Sequence, residues 1–78
     1  MVRFRIKVNE KQKLAYIPKE IVEALGFKLV AIPNAKALLL FPEGEKSARV
    51  IESVKIILQD LELAMRHDES LSKGPKGG

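Results

Sequence analysis

Three cations, Arg3, Arg5 and Lys7, take turns with Val2, Phe4, Ile6 and Val8, and Lys11 and Lys13 follow close behind. In a β-strand, residues two apart project from one side at about 6.7 Å, so the first three charges would form a row of roughly 13 Å. Such a row suits a phosphate backbone. Cations that neutralise phosphates supply sequence-independent affinity, and arginines there can also reach guanine edges in a major groove. Single-stranded nucleic acid is a poorer match, because Phe4 belongs to the apolar side and Tyr16 is the only other aromatic nearby for stacking. The expected polyanion is therefore duplex DNA. The bland reading of the same alternation is a solvated strand face.

Other chemistry finds little to work with. There is no cysteine, which excludes thiolate metal sites, disulfides and a cysteine nucleophile, and the only histidine, His67, lies at the expected end of the last helix beside Asp68 and Glu69. Gly26 and Gly44 are isolated, as a helix cap and a turn would have them, and form no phosphate-cradling loop. No enzyme, no metal and no cofactor are expected. The net charge is +4, and its distribution is uneven: residues 1–44 hold eight Lys/Arg against four Asp/Glu, while residues 45–78 hold six of each. A basic half joined to a neutral half reads as a polyanion-binding module with an appended segment.

The elements that would position these residues follow from periodicity and punctuation. Val2–Val8 alternates strictly and predicts a first strand; Asn9–Gln12 is a polar connection, and Leu14–Ile17 a second strand closed by Pro18. Lys19–Leu25 predicts a two-turn helix, with Glu20 in its first turn, Gly26 as C-cap, and Ile21, Ala24 and Leu25 on one face. Phe27–Ile32 and Ala37–Phe41 predict two further strands around a Pro33–Lys36 turn, ended by Pro42 and Gly44. Both of those strands are apolar on both faces, more surface than a four-strand unit of this size can cover. Ser47 is the expected N-cap of a long helix to about Arg66, roughly 30 Å, with a stripe of Val50, Ile51, Val54, Ile57, Leu58, Leu61, Ala64 and Met65. Ile56 and Leu63 fall outside that stripe and point to a partner helix.

A chain of 78 residues makes one small domain at most and buries a limited fraction of its surface, so self-association is expected. Residues 1–44 form the DNA-binding part, 45–66 a dimer-stabilising amphipathic helix, and 67–78 a polar Gly/Pro/Ser-rich tail expected to be disordered. No apolar run is long enough to span a bilayer, and cations at positions 3, 5 and 7 interrupt any signal-peptide core, so the expected location is cytoplasmic and nucleoid-associated.

The stretch KVNEKQKLAYIPKEIVEALGF resembles the signature of the AbrB/MazE/SpoVT swapped-hairpin family. Its elements are Lys7-Val8-Asn9-Glu10, the basic turn Lys11–Lys13, the strand Leu14–Pro18 and the short helix Lys19–Gly26. The likeness covers about residues 3–42 and is to a small archaeal-type member with an added C-terminal helix. The chain departs from the family in carrying Gln12-Lys13 where a Gly-Arg turn is usual. It also has Val22 and Glu23 where bacterial transition-state regulators carry two arginines.

What the resemblance implies is a mainly β protein with helices (β+α), ββαββ per chain plus a long helix, two chains interleaving their hairpins into one barrel. DNA contacts fall to Arg3, Arg5, Lys7, Lys11, Lys13 and Lys19, of which Lys7 and Lys13 match family positions and Arg3 and Arg5 rest on alternation. The expected dimer interface is Phe4, Ile6, Leu14, Leu38, Leu40, Ile51, Val54, Leu58 and Leu61. The leading function is a dimeric DNA-binding protein, either a transcription regulator or a chromosome-associated factor. The alternative is an antitoxin whose residues 47–66 bind a toxin, and a third reading is a structural module with a merely solvated basic strand.

Overall fold

The computed structural model describes residues 1–72, with side chains through Asp68. It is of the β+α kind: helix α1 (Lys19–Leu25), strands β1 (Leu29–Asn34) and β2 (Ala37–Pro42), and helix α2 (Ser47–Ser72). Helix outweighs strand, since the 26 residues of α2 alone exceed two six-residue strands. That corrects the expectation of a mainly β chain. The chain divides into two units, Val2–Glu45 and the segment from Lys46 onward with Met1.

Helix α1 has the expected bounds because its punctuation is local. Pro18, at φ −53° and ψ 141°, is the N-cap, and its carbonyl accepts the N–H of Ile21 (3.0 Å) and Val22 (3.2 Å). Gly26 ends the helix at φ 91°, a backbone that L side chains rarely adopt, and donates its N–H to the Val22 carbonyl at 2.7 Å. The better-covered residues are Ile21, Val22 and Leu25, whereas Ala24, expected on that face, is exposed.

The β1–β2 hairpin is antiparallel, with Asn34 opposite Ala37 and Leu29 opposite Pro42. Two strand limits differ from expectation. β1 starts at Leu29, not Phe27, and takes in Pro33 and Asn34, and β2 takes in Pro42. Register explains how prolines fit. The Glu43 N–H donates to the Lys28 carbonyl at 3.0 Å, so the hydrogen-bonded pairs are Val30–Phe41, Ile32–Leu39 and Asn34–Ala37. Pro33–Leu38 and Leu29–Pro42 are the alternate pairs, whose nitrogens point away from the partner strand. Each proline therefore sits where no inner donor is needed.

The same register puts Val30, Ile32, Leu39 and Phe41 on one face and Leu29, Ala31, Leu38 and Leu40 on the other. Both faces are apolar, as the sequence indicated, and no residue of either strand is fully buried. Ala35 and Lys36 alone form the turn, narrower than the Pro33–Lys36 segment expected, and Ala35 takes φ 46° while Lys36 does not. This is the sign pattern of a type II′ turn, whose first central position favours glycine.

The first two expected strands do not form in the single chain. Val2–Val8 and Leu14–Ile17 make no ladder, and only an isolated antiparallel bridge joins Asn9 to Leu14. Alternation marks a segment that can lie in a sheet, but a ladder also needs an adjacent edge. Among the described residues the sheet has two strands, not four, and none of the apolar side chains is fully buried. The expected interface residues Phe4, Ile6, Leu14, Leu38, Ile51, Val54, Leu58 and Leu61 are exposed, and Leu40 is half-buried.

Helix α2 begins at Ser47, one residue earlier than an N-cap at Ser47 would place it. Lys46, not Ser47, takes the N-cap position, its carbonyl accepting the N–H of Arg49 (3.0 Å) and Val50 (3.2 Å). The helix also continues to Ser72, beyond the expected end near Arg66, because residues 67–72 contain neither glycine nor proline. The remainder of the expected disordered tail, residues 73–78, lies outside the described residues. No helix among the described residues is long and apolar enough to cross a membrane.

Replacing Ala35 with glycine should relieve the positive-φ strain at the hairpin turn. Set against glycine's larger unfolded-state entropy, the expected gain is about 0.5 kcal/mol, read as a rise in thermal midpoint. A lowered midpoint would contradict the turn assignment.

Candidate nucleic-acid interface

Within the basic segment, the loop between Asn9 and Leu14 is closed by its own hydrogen bonds. Its backbone closes twice: the Lys13 N–H donates to the Asn9 carbonyl at 2.8 Å, and the Asn9 N–H to the Leu14 carbonyl at 2.7 Å. The Asn9 side chain completes the arrangement, its Oδ1 accepting the N–H of Lys11 (3.0 Å) and Gln12 (2.8 Å). Three successive amides, those of Lys11, Gln12 and Lys13, thus end on one residue. An asparagine suits this role because its short side chain can serve the backbone two and three residues ahead, as at a helix N-cap.

Lys13 leaves the loop at φ 60°, in the left-handed region that costs a non-glycine residue about 1–2 kcal/mol. Strain of this kind persists where the surrounding structure holds it, and here the flanking hydrogen bonds of Asn9 do so. Because the amides of Lys11, Gln12 and Lys13 are already used, an anion at these positions would meet ammonium groups and not a cradle of free backbone N–H groups. Lys11 and Lys13 are both exposed, and Glu10 shares the loop with them.

Beside the loop lies an open concavity of about 460 Å³, lined by Lys7, Val8, Asn9, Gln12, Leu14, Ala15 and Tyr16. It brings Lys7 to the flank of the loop that carries Lys11 and Lys13. Tyr16 is 97% exposed, so an aromatic face and a cation border the same hollow. Tyr16 is thus better placed for stacking than its sequence position suggests, and Asn9 organises the loop although no strand or helix signal marks it. An asparagine two residues before the first of two lysines was the available signal.

Arg3 and Arg5 are exposed in a segment that forms no ladder, so the strand pairing that would space them as a 13 Å row is not formed within one chain. Lys19 is exposed at the first residue of α1. Among the described residues, no group of three His, Cys, Asp or Glu is placed to hold a metal ion.

Substituting Asn9 with alanine should cost the loop about 1 kcal/mol and speed hydrogen exchange at the Lys11 and Gln12 amides about fivefold, while aspartate, which keeps the acceptor, should not. Equal exchange in both variants would mean that Oδ1 does not organise the loop. Comparison of the chain with protein-family models, with curated proteins and with solved structures found no match.

Proposed function

We propose that the chain is a dimeric DNA-binding protein of the swapped-hairpin kind, a transcription regulator or chromosome-associated factor. The observation that carries this reading is the loop at Asn9–Leu14: two exposed lysines held on a backbone in which the amides of Lys11, Gln12 and Lys13 end on Asn9, with Lys13 in a strained conformation. A pre-ordered cationic loop binds a phosphate backbone with less entropy to lose than a flexible one.

The dimer is supported by what a single chain leaves undone. Val2–Val8 and Leu14–Ile17 have alternating sequences and no ladder, and the β1–β2 hairpin has two apolar faces with no fully buried residue. Interleaved hairpins from a second chain would supply edges for the first and cover for the second. In that barrel Arg3, Arg5 and Lys7 form the row expected of a strand, and the two-fold axis presents it twice beside Lys11, Lys13 and Lys19. The unbroken course of α2 to Ser72 favours self-association over an antitoxin tail that orders only on a toxin.

Titrating the full chain with cognate-length random duplex at several salt concentrations tests the reading. Log affinity should fall with log salt at roughly −0.9 per phosphate neutralised, and replacing both Lys11 and Lys13 with serine should make the slope shallower by about 1.8 per engaged chain. A flat response, or no binding at low salt, overturns it.

A further inference from the structure

We infer that α2 is a self-pairing surface that takes the α2 of a second copy of this chain in antiparallel orientation, with Lys55 of each copy facing Glu62 of the other. This deepens the self-association part of the function proposed above and is independent of DNA contact. The apolar seam is Ile51, Val54, Leu58, Leu61 and Met65, spaced alternately three and four residues apart, and every one of these side chains is exposed. Such spacing is that of a helix packing on a helix.

Charge decides the orientation. From Ser47 to Leu58 the helix carries Arg49 and Lys55 against Glu52, whereas from Gln59 to Asp68 it carries Asp60, Glu62 and Asp68 against Arg66. A positive first half and a negative second half repel their like in a parallel pair and attract in an antiparallel one. The helix has no acid in its first turn and no base in its last, so its own charges do nothing to offset its dipole. An antiparallel copy brings each half beside the opposite pole.

The register follows from the flanks. Lys55 and Glu62 are one heptad apart and border the same side of the seam, and positions of that kind meet each other across an antiparallel pair. Setting Leu58 against Leu61 and Val54 against Met65 of the partner makes Lys55–Glu62 contacts twice, by symmetry. Among the described residues neither Lys55 nor Glu62 has an ion-pair partner in its own chain, while Asp60 already lies 3.5 Å from the Met1 ammonium.

The chain has no cysteine, so single spin labels can be placed uniquely at Ala48→Cys and Gln59→Cys in the full-length protein without DNA. An antiparallel pair in this register sets the two residue-48 labels roughly 35 Å apart along the axis, from 1.5 Å per residue. The residue-59 labels, near the crossing point, should lie within about 25 Å. Short distances at both sites mean parallel helices, and no short distance at residue 59 means that the helices do not pair; either overturns the inference. On the Gln59→Cys background, Lys55→Glu or Glu62→Lys alone should lower the short-distance population about tenfold, two contacts being lost at once, and the double reversal should restore it. If the double variant stays unpaired, the register is wrong. These substitutions lie outside the proposed DNA-contact residues, so loss of pairing and loss of DNA binding are read separately.

Discussion

Every strand needs an edge to hydrogen-bond with, and among its described residues this chain forms such a ladder only within residues 29–42. Within that hairpin the register accommodates everything that looks awkward in the sequence, including two prolines whose nitrogens face outward. Outside it, Val2–Val8 and Leu14–Ile17 have the alternation of strands and only the Asn9–Leu14 bridge between them. The cost shows in burial: a chain with many apolar residues has none fully covered among those described. Hydrophobic burial is the main favourable term in folding, so a chain with this exposure draws little of that stabilisation from its own described residues.

The basic segment divides along the same line. Lys11 and Lys13 stand on a loop that Asn9 organises by itself, through contacts no more than a few residues long. Arg3, Arg5 and Lys7 depend on a ladder for their spacing. In the proposed protein–DNA complex the loop is ordered beforehand, and the row becomes ordered only when the barrel closes. Dimerisation and DNA affinity would then be linked, because each cation fixed in advance is one whose ordering need not be paid for on binding.

The long helix raises a separate electrostatic question. Its charges run against its own dipole, cations toward the start and carboxylates toward the end, which weakens an isolated helix. Such a pattern is tolerable when each end faces the opposite end of a neighbour. In the proposed pair it would also make the helix selective, since the like-with-like arrangement is penalised along the whole contact.

Local signals in the sequence determined local structure. Pro18 and Gly26 delimit α1 to the residue, because a missing N–H and a positive φ act on their immediate neighbours. Strands 29–34 and 37–42 were legible as apolar runs but misplaced by one or two residues, since prolines read as terminators proved to face the solvent edge. The end of α2 lies six residues beyond the expected Arg66, because polar residues without glycine or proline do not break a helix. Positive φ at Lys13 and Ala35 could not be read from lysine and alanine, which have no local preference for it; hydrogen bonds from Asn9 and the two-residue turn impose it. Whether the alternating VRFRIKV segment is a strand was likewise beyond the sequence, because period two fixes which side chains share a face and leaves the pairing edge to tertiary structure.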